Sequence, residues 1–346
     1  MQAVTIRPGQ PGSLGLEEIP DLPEENDVLR VRALAVGICG TDRELIEGRY
    51  GEAPPGQPRL VLGHESLGRA ASAPAGSGFG AGDLVVGVVR HPDPVPCLPC
   101  SLGEWDMCRN GLYTERGIKQ ADGFCVERWS AAPGFAVKVP PALGLAGVLL
   151  EPASVLAKAW QQIETIVLRS RWTPRRALVT GAGPVGLMAA LMGAQRGLEV
   201  HVMDHHSDGP KPRLVRQLGA EHHPGFPAFE PDLVIECTGS PQVIRQALAR
   251  SAPAGIVCLT GLSGGSRPAA LDIAALNQAM VLENRVVFGT VNANLGHYRA
   301  AADALAAAPP DWLQAILTRQ VPLERWGEAY EKRPDDVKTV LVFEDA

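Results

Sequence analysis

The stretch Ala177-Leu-Val-Thr-Gly181-Ala-Gly183-Pro-Val-Gly186-Leu decides the fold. An apolar run that reads as a buried strand ends in a glycine turn, and Leu187 to Gln195 then carries helical spacing. Gly181 permits a tight turn, Gly183 lets a pyrophosphate approach the backbone, Pro184 and Val185 open the helix, and Gly186 lets helix and strand pack closely. Unpaired N–H groups at such a helix start face the phosphates of a dinucleotide. Eighteen residues after Gly186, Asp204 ends the next apolar run, where an acid can bind a ribose 2′-hydroxyl. Asp204 disfavours a 2′-phosphate, but His205, His206 and Lys211 lie just beyond and partly offset the repulsion, so NAD is expected and NADP stays open. Thr238 is grouped with the cofactor contacts, as is Asn292.

Outward from that turn the pattern repeats. Val200-His-Val-Met-Asp, Asp232-Leu-Val-Ile-Glu-Cys, Gly255-Ile-Val-Cys-Leu-Thr and Val286-Val-Phe-Gly-Thr-Val are continuous apolar strands separated by helical segments such as Leu214 to Leu218. Runs of this kind suit a parallel sheet covered on both faces, a doubly wound Rossmann domain, here assigned to 151–296. Residues 1–150 instead alternate short Val/Leu runs with Gly/Pro turns, as in Asp27-Val-Leu-Arg-Val-Arg-Ala-Leu-Ala-Val, which predicts a mostly β, irregular domain. Segment 297–346 holds an Ala-rich helix, Tyr298 to Ala308, and the strand Thr339-Val-Leu-Val-Phe, which is expected to return to the first domain. The fold class is therefore α/β in two domains.

With 346 residues, the chain is long enough for two domains with real cores. Its net charge of −6 leaves no general basic field for nucleic acid or an anionic membrane, so the expected partner is a small molecule. The uncharged run Leu178 to Ala194 is assigned to a buried strand and helix rather than to a membrane span. The cysteine count is odd, seven, and the N-terminal residues lack a signal-peptide apolar stretch, so reduced thiols and a cytoplasmic location are expected.

A second constellation joins Gly37-Ile-Cys39-Gly-Thr41-Asp, Gly63-His64-Glu65 and Leu150-Glu151-Pro152. Thiolate, imidazole and carboxylate are ligand types for a tetrahedral zinc that keeps an exchangeable position. Singly, Cys39 reads as a small buried hydrophobe, His64 as a core histidine and Glu151 as a helix N-terminal charge; their joint occurrence carries the metal reading. A hydroxyl on Thr41, two residues from Cys39, is well placed to relay a substrate proton.

At these residues the chain resembles the zinc-dependent medium-chain alcohol dehydrogenase superfamily over essentially its full length. The order is shared: catalytic half, Gly181-Ala-Gly-Pro-Val-Gly186 cofactor fold, return segment. Cys39-Gly-Thr-Asp-Arg-Glu-Leu-Ile-Glu-Gly-Arg-Tyr-Gly, Leu62-Gly-His-Glu-Ser-Leu-Gly and Val286-Val-Phe-Gly-Thr-Val-Asn-Ala-Asn resemble more narrowly its glucose 1-dehydrogenase branch. The resemblance implies a GroES-like catalytic domain, Cys39 and His64 as zinc ligands, and Glu65 and Glu151 alternating as the carboxylate ligand or holding the metal through water. It implies Thr41, Glu65 and His297 as catalytic residues and Glu115, Asn292 and Asn294 as partners of substrate or nicotinamide. It further implies a homo-oligomer, dimer or tetramer. Asn and His clusters also occur as plain loop and cap residues.

The expected reaction is zinc-assisted hydride transfer from a sugar or polyol to NAD(P), an aldose giving a lactone. Alternatives are another secondary alcohol or a cyclitol and, outside enzymes, a cofactor-binding protein whose zinc is merely structural.

Many members of the superfamily hold a structural zinc by C-x2-C-x2-C-x7-C. Cys97, Cys100 and Cys108 fit the last three positions, whereas Pro94 stands at the first. Asp93 is expected to replace the missing ligand, with His91 second, giving two zinc ions per chain; the alternative is a metal-free lobe of three thiols. Cys125, Cys237 and Cys258 read as structural, the latter two in strands; His201 reads as a strand residue, and His222 and His223 as a solvated turn.

Overall fold

The longest strand, Leu29–Ile38, sets the plan of the N-terminal half. Its burial alternates from Leu29 to Arg32, with Arg32 exposed, and is then continuous from Ala33 to Ile38, as in a strand whose second half is covered on both faces. In the computed structural model, which describes residues 1–23, 25–264 and 270–343, two compact units form: Met1–Ser154 with Asn292–Ala346, and Val155–Val291.

In the first unit Leu29–Ile38 lies inside a seven-stranded sheet. On one side lies Glu65–Ser72, followed by Leu84–Gly87 and Ala136–Lys138; on the other lies Thr339–Val342, followed by Arg319–Pro322, and Arg128–Ala131 pairs antiparallel with the Leu29–Arg32 end. The last strand thus returns to the first domain, as its apolar pattern predicts. It pairs antiparallel with Leu29–Ile38, Thr339 opposite Ile38 and Val340 opposite Gly37. Trp129, Phe124, Leu29, Val31 and Leu341 are buried in the core here, and the Phe124 and Trp129 rings meet edge to face at 4.9 Å.

The second unit is a six-stranded, wholly parallel sheet. Numbered along the chain, its strands are Arg176–Thr180, Glu199–Met203, Glu221–His223, Leu233–Glu236, Ile256–Leu259 and Val286–Gly289, and their spatial order is third, second, first, fourth, fifth, sixth. The order reverses between Arg176–Thr180 and Leu233–Glu236, the switch point where such sheets bind ligands. His222 and His223, read from the sequence as a turn, belong instead to the short edge strand Glu221–His223. Cys258 lies in a strand, and Cys237 just past the end of one.

Gly181 has φ +93°, a left-handed conformation that L side chains rarely adopt. The following helix, Pro184–Gln195, starts with Gly183 as N-cap and Pro at its first position, and buries Gly186 to Gly193 without a break. A Cβ on Gly186 would sit 1.8 Å from the Gly181 carbonyl oxygen. Gly186→Ala should therefore cost roughly 1–3 kcal/mol of stability and weaken dinucleotide binding, read by urea unfolding and by NADH fluorescence titration; a variant matching wild type in both would refute the close-packing role.

Candidate active site

Cys39 closes the end of Leu29–Ile38 and caps the helix Gly40–Ile46, where the Asp42 carboxylate accepts the Cys39 N–H at 2.8 Å. This reciprocal cap ties the thiol to the helix start. Glu65 opens the neighbouring strand and His64 sits in the bend just before it, preceded by Gly63 at φ +88°, where a Cβ would meet the Cys125 sulfur at 2.6 Å. The turn thus brings Cys39, His64 and Glu65 together, with one ligand atom of each lying within 4.8 Å of the others.

His64 Nδ1 faces Asp42 Oδ1 at 3.5 Å. Burial opposes charge on the ring, yet Asp42 and the Cys39 sulfur outweigh it and hold the His64 pKa well above its ordinary value. A carboxylate on Nδ1 that leaves Nε2 for a metal is the usual partner of a zinc-binding histidine. Glu151, on the helix Leu150–Val167, is buried, and burial together with Glu65 pushes its pKa to about 7, against the opposing pull of His64 and Lys338. It lies within electrostatic reach of the group but outside its tight triangle. Four acidic or thiol groups gathered around one histidine form a donor set that fits a divalent cation.

Sequence reading missed the positive charge of this site. Lys338 is 2% exposed, pairs with the Glu65 carboxylate and donates to the Ile38 carbonyl at 3.2 Å. Burial works against its charge, and Glu65, Cys39 and Asp42 overcome that, raising its pKa. The only signal was a lone lysine heading the apolar run Thr339–Val342. The spacing of Asp42 from Cys39 is that of a capping acid.

Thr41 lies in the first turn of the helix, within interaction range of the Tyr50 phenol, whose pKa is raised chiefly by burial. Glu115 sits on the strand Thr114–Arg116, where its Oε1 accepts from Arg90 Nε at 3.0 Å and Nη2 at 2.9 Å and from Asn292 Nδ2 at 2.8 Å. Glu115 and Asn292 are thus neighbours, joined by the unanticipated, buried Arg90. Asn294 and His297 are placed differently. Asn294 is the N-cap of Leu295–Ala306: its Oδ1 accepts the N–H groups of Gly296 and His297, and its Nδ2 donates to Asp106 at 3.0 Å. His297 Nδ1 accepts the Asn294 N–H at 3.1 Å. These atoms serve a helix start in the structure.

In the lobe, Cys97, Cys100 and Cys108 present their sulfurs within 4.8 Å of one another. Cys97 also accepts the Arg109 N–H at 3.3 Å, and that hydrogen bond lowers its pKa to about 7, while burial pushes Cys100 up to about 11. Asp93 does not complete the group. Its carboxylate oxygens take the Val95 N–H at 2.9 Å and Asn110 Nδ2 at 2.7 Å, because the chain turns at Pro94 and the acid caps that turn. His91 is no replacement, since it stacks on Phe135 at 4.2 Å and its Nε2 lies 3.3 Å from the Val88 carbonyl oxygen.

In the second unit Gly181, Gly183, Pro184, Val185 and Gly186 form the expected turn and helix start. Asp204 follows its strand, with Oδ2 accepting the Ala182 N–H at 2.8 Å and Oδ1 2.6 Å from His206 Nδ1; Lys211 Nζ lies 3.8 Å away. Burial opposes the Asp204 charge, but these N–H donors and Lys211 lower its pKa. His205 is exposed, its ring tilted against that of His206 at 3.9 Å. Thr238 borders the Gly181 turn through its methyl group and donates both N–H and hydroxyl to Glu236. Glu236 is fully buried, also accepts from Thr180 Oγ1 at 3.2 Å and Gly239 N–H at 3.1 Å, and was not anticipated.

A parallel dinucleotide sheet and a GroES-like half carrying a Cys, His and Glu group define the class of zinc-type alcohol dehydrogenases. The alcohol dehydrogenase GroES-like domain matches residues 25–141, and the glucose dehydrogenase C-terminus matches residues 144–343. The chain belongs to the glucose dehydrogenase family of that class. It is 38% identical to glucose 1-dehydrogenase of Methanocella arvoryzae and 39% to that of Thermoproteus tenax, covering 99% of each chain in both comparisons. The structure of Haloferax mediterranei glucose dehydrogenase in complex with NADP, Zn and gluconolactone superposes with a TM-score of 0.92, covering 100% of both chains at 28% identity.

The buried Lys338–Glu65 pair is open to a direct test. Lys338→Met should lower the stability of metal-stripped protein by roughly 3–5 kcal/mol, since it leaves Glu65 buried and unpaired. The loss should be smaller in zinc-loaded protein, where a second cation is available to Glu65. Urea unfolding of both forms measures this, and an unchanged apoprotein would remove the pair from the argument.

Proposed function

We propose that this protein is a zinc-dependent dehydrogenase that takes hydride from the anomeric carbon of a glucose-like aldose, passes it to NAD(P) and releases the lactone. The observation that carries the reading is the convergence of half-buried Cys39 with buried His64 and Glu65 in one acid-rich cluster, in a chain 38% identical to a glucose 1-dehydrogenase throughout its length. Cys39, His64 and Glu65 would hold the zinc, with Glu151 as the alternating carboxylate. Zinc supplies a Lewis acid there, lowering the pKa of a sugar hydroxyl and favouring alkoxide character.

The chain's own residues do the rest. Thr41 receives the hydroxyl proton at Oγ1. Glu115, whose Oε1 is fixed by Arg90 and Asn292, is oriented before substrate arrives, and a polyhydroxylated ligand needs such prepaid acceptors. Gly181 to Gly186 hold the pyrophosphate, Thr238 lines the turn, and Asp204 binds the adenosine ribose. His205, His206 and Lys211 around Asp204 support use of NADP as well as NAD. The three lobe thiols hold the second zinc. The proposal includes a cytoplasmic homo-oligomer, dimer or tetramer, as the family resemblance implies.

Absorbance of reduced nicotinamide across a panel of aldoses, polyols, cyclitols and simple alcohols should show turnover with glucose-like aldoses in preference to the rest; turnover confined to other alcohols would overturn the substrate. Cys39→Ser or His64→Ala should reduce turnover on the order of a thousandfold while leaving dinucleotide affinity nearly intact, because different units hold metal and cofactor. Equal loss of both in a folded variant would sink the assignment. For the lobe, metal analysis should find two zinc ions per chain, falling to one in Cys97→Ser together with the melting temperature. A count of one that this variant leaves unchanged would mean a metal-free lobe.

A further inference from the structure

Strand alternation places Glu199 and His201 on one face of Glu199–Met203, and Glu221 and His223 on one face of the adjoining edge strand Glu221–His223. With His201 opposite Glu221 and Met203 opposite His223 in the parallel register, these side chains meet on the same side of the sheet. His201 Nδ1 lies 2.9 Å from His223 Nε2 and 3.5 Å from a Glu221 oxygen, and His223 Nε2 lies 3.7 Å from the other Glu221 oxygen. The three donors converge: the edges of a zinc tetrahedron with N and O ligands are about 3.3–3.5 Å.

The opposite nitrogen of His201 completes the pattern. His201 Nε2 is 3.0 Å from Glu199 Oε1 and donates its proton there, which leaves the Nδ1 lone pair aimed at His223. His201 is 4% exposed and Phe229 packs on its ring at 4.3 Å, so the imidazole is held in this orientation. We propose that His201, His223 and Glu221 form a third divalent-metal site at the edge of the parallel sheet, for Zn²⁺, Co²⁺ or Ni²⁺, with Glu199 orienting His201 and a fourth position open to water. Two imidazoles and a carboxylate select such borderline ions over Mg²⁺ or Ca²⁺. None of these residues belongs to the sites described above.

The rival reading is a His–His hydrogen bond with no metal affinity, and zinc chloride titration of the zinc-replete protein by equilibrium dialysis separates the two. Wild type should take up one equivalent more than His223→Gln, with micromolar affinity, and Glu221→Gln should bind that equivalent at least tenfold more weakly. Glu221 is largely exposed, so its variant decides the matter even if His223→Gln fails to fold. Equal uptake by wild type and Glu221→Gln, or no micromolar equivalent in wild type, would overturn the proposal.

Discussion

Three strands of the first unit are held together by one buried lysine. Lys338 bonds the Ile38 carbonyl at the end of the central strand and the Glu65 carboxylate at the start of its neighbour, and heads the returning strand Thr339–Val342 itself. All three segments end beside Cys39 and His64, so the pair fixes the spacing of the ligand group as well as the sheet. Moving a carboxylate and an ammonium out of water is costly, and a pair this deep persists only when other contacts satisfy both charges. Here Asp42 and Cys39 add negative charge around Lys338. The site gathers Asp42, Glu65 and Glu151 around Lys338 and His64, and a cation bound there would displace protons as it adds stability.

The second unit answers a different constraint, that of closing a turn tightly enough for a phosphate to reach backbone N–H groups. Gly181 and Gly186 remove the side chains that would block the turn, and Glu236 then ties it down from beneath, bonding Thr180, Thr238 and Gly239 across the switch point. A buried carboxylate with this many donors is satisfied without a cation. Asp204 uses one oxygen in the same way, on the Ala182 N–H, which couples the acid at the ribose position to the glycine turn.

What could be read from sequence alone follows from locality. The glycine turn, the Cys39 helix start and the three lobe cysteines are each set by spacings within about a dozen residues, and the structure brings each together. Lys338 escaped because it meets Glu65 from 273 residues away, and no spacing rule reaches that far. Asp93 misled because zinc accepts oxygen and the acid stood one residue from the gap. The local demand of the Pro94 turn for a capping acceptor is nearer and takes its carboxylate first. The edge strand Glu221–His223 is only three residues long, too short for alternation to register, so two histidines that face different ways looked alike.

The same competition decides between Asn292 and Asn294, two residues apart in one run. Asn294 stands at a helix start, where unpaired N–H groups claim its oxygen, and Asp106 claims its amide. Asn292 precedes the cap, has φ +61° and turns its amide onto Glu115. Its oxygen accepts the next N–H, Ala293, and its side chain is set by Glu115 and not by the helix. Of the run that resembled a substrate-binding segment, the member outside the cap is thus the one coupled to the acid that Arg90 holds in place.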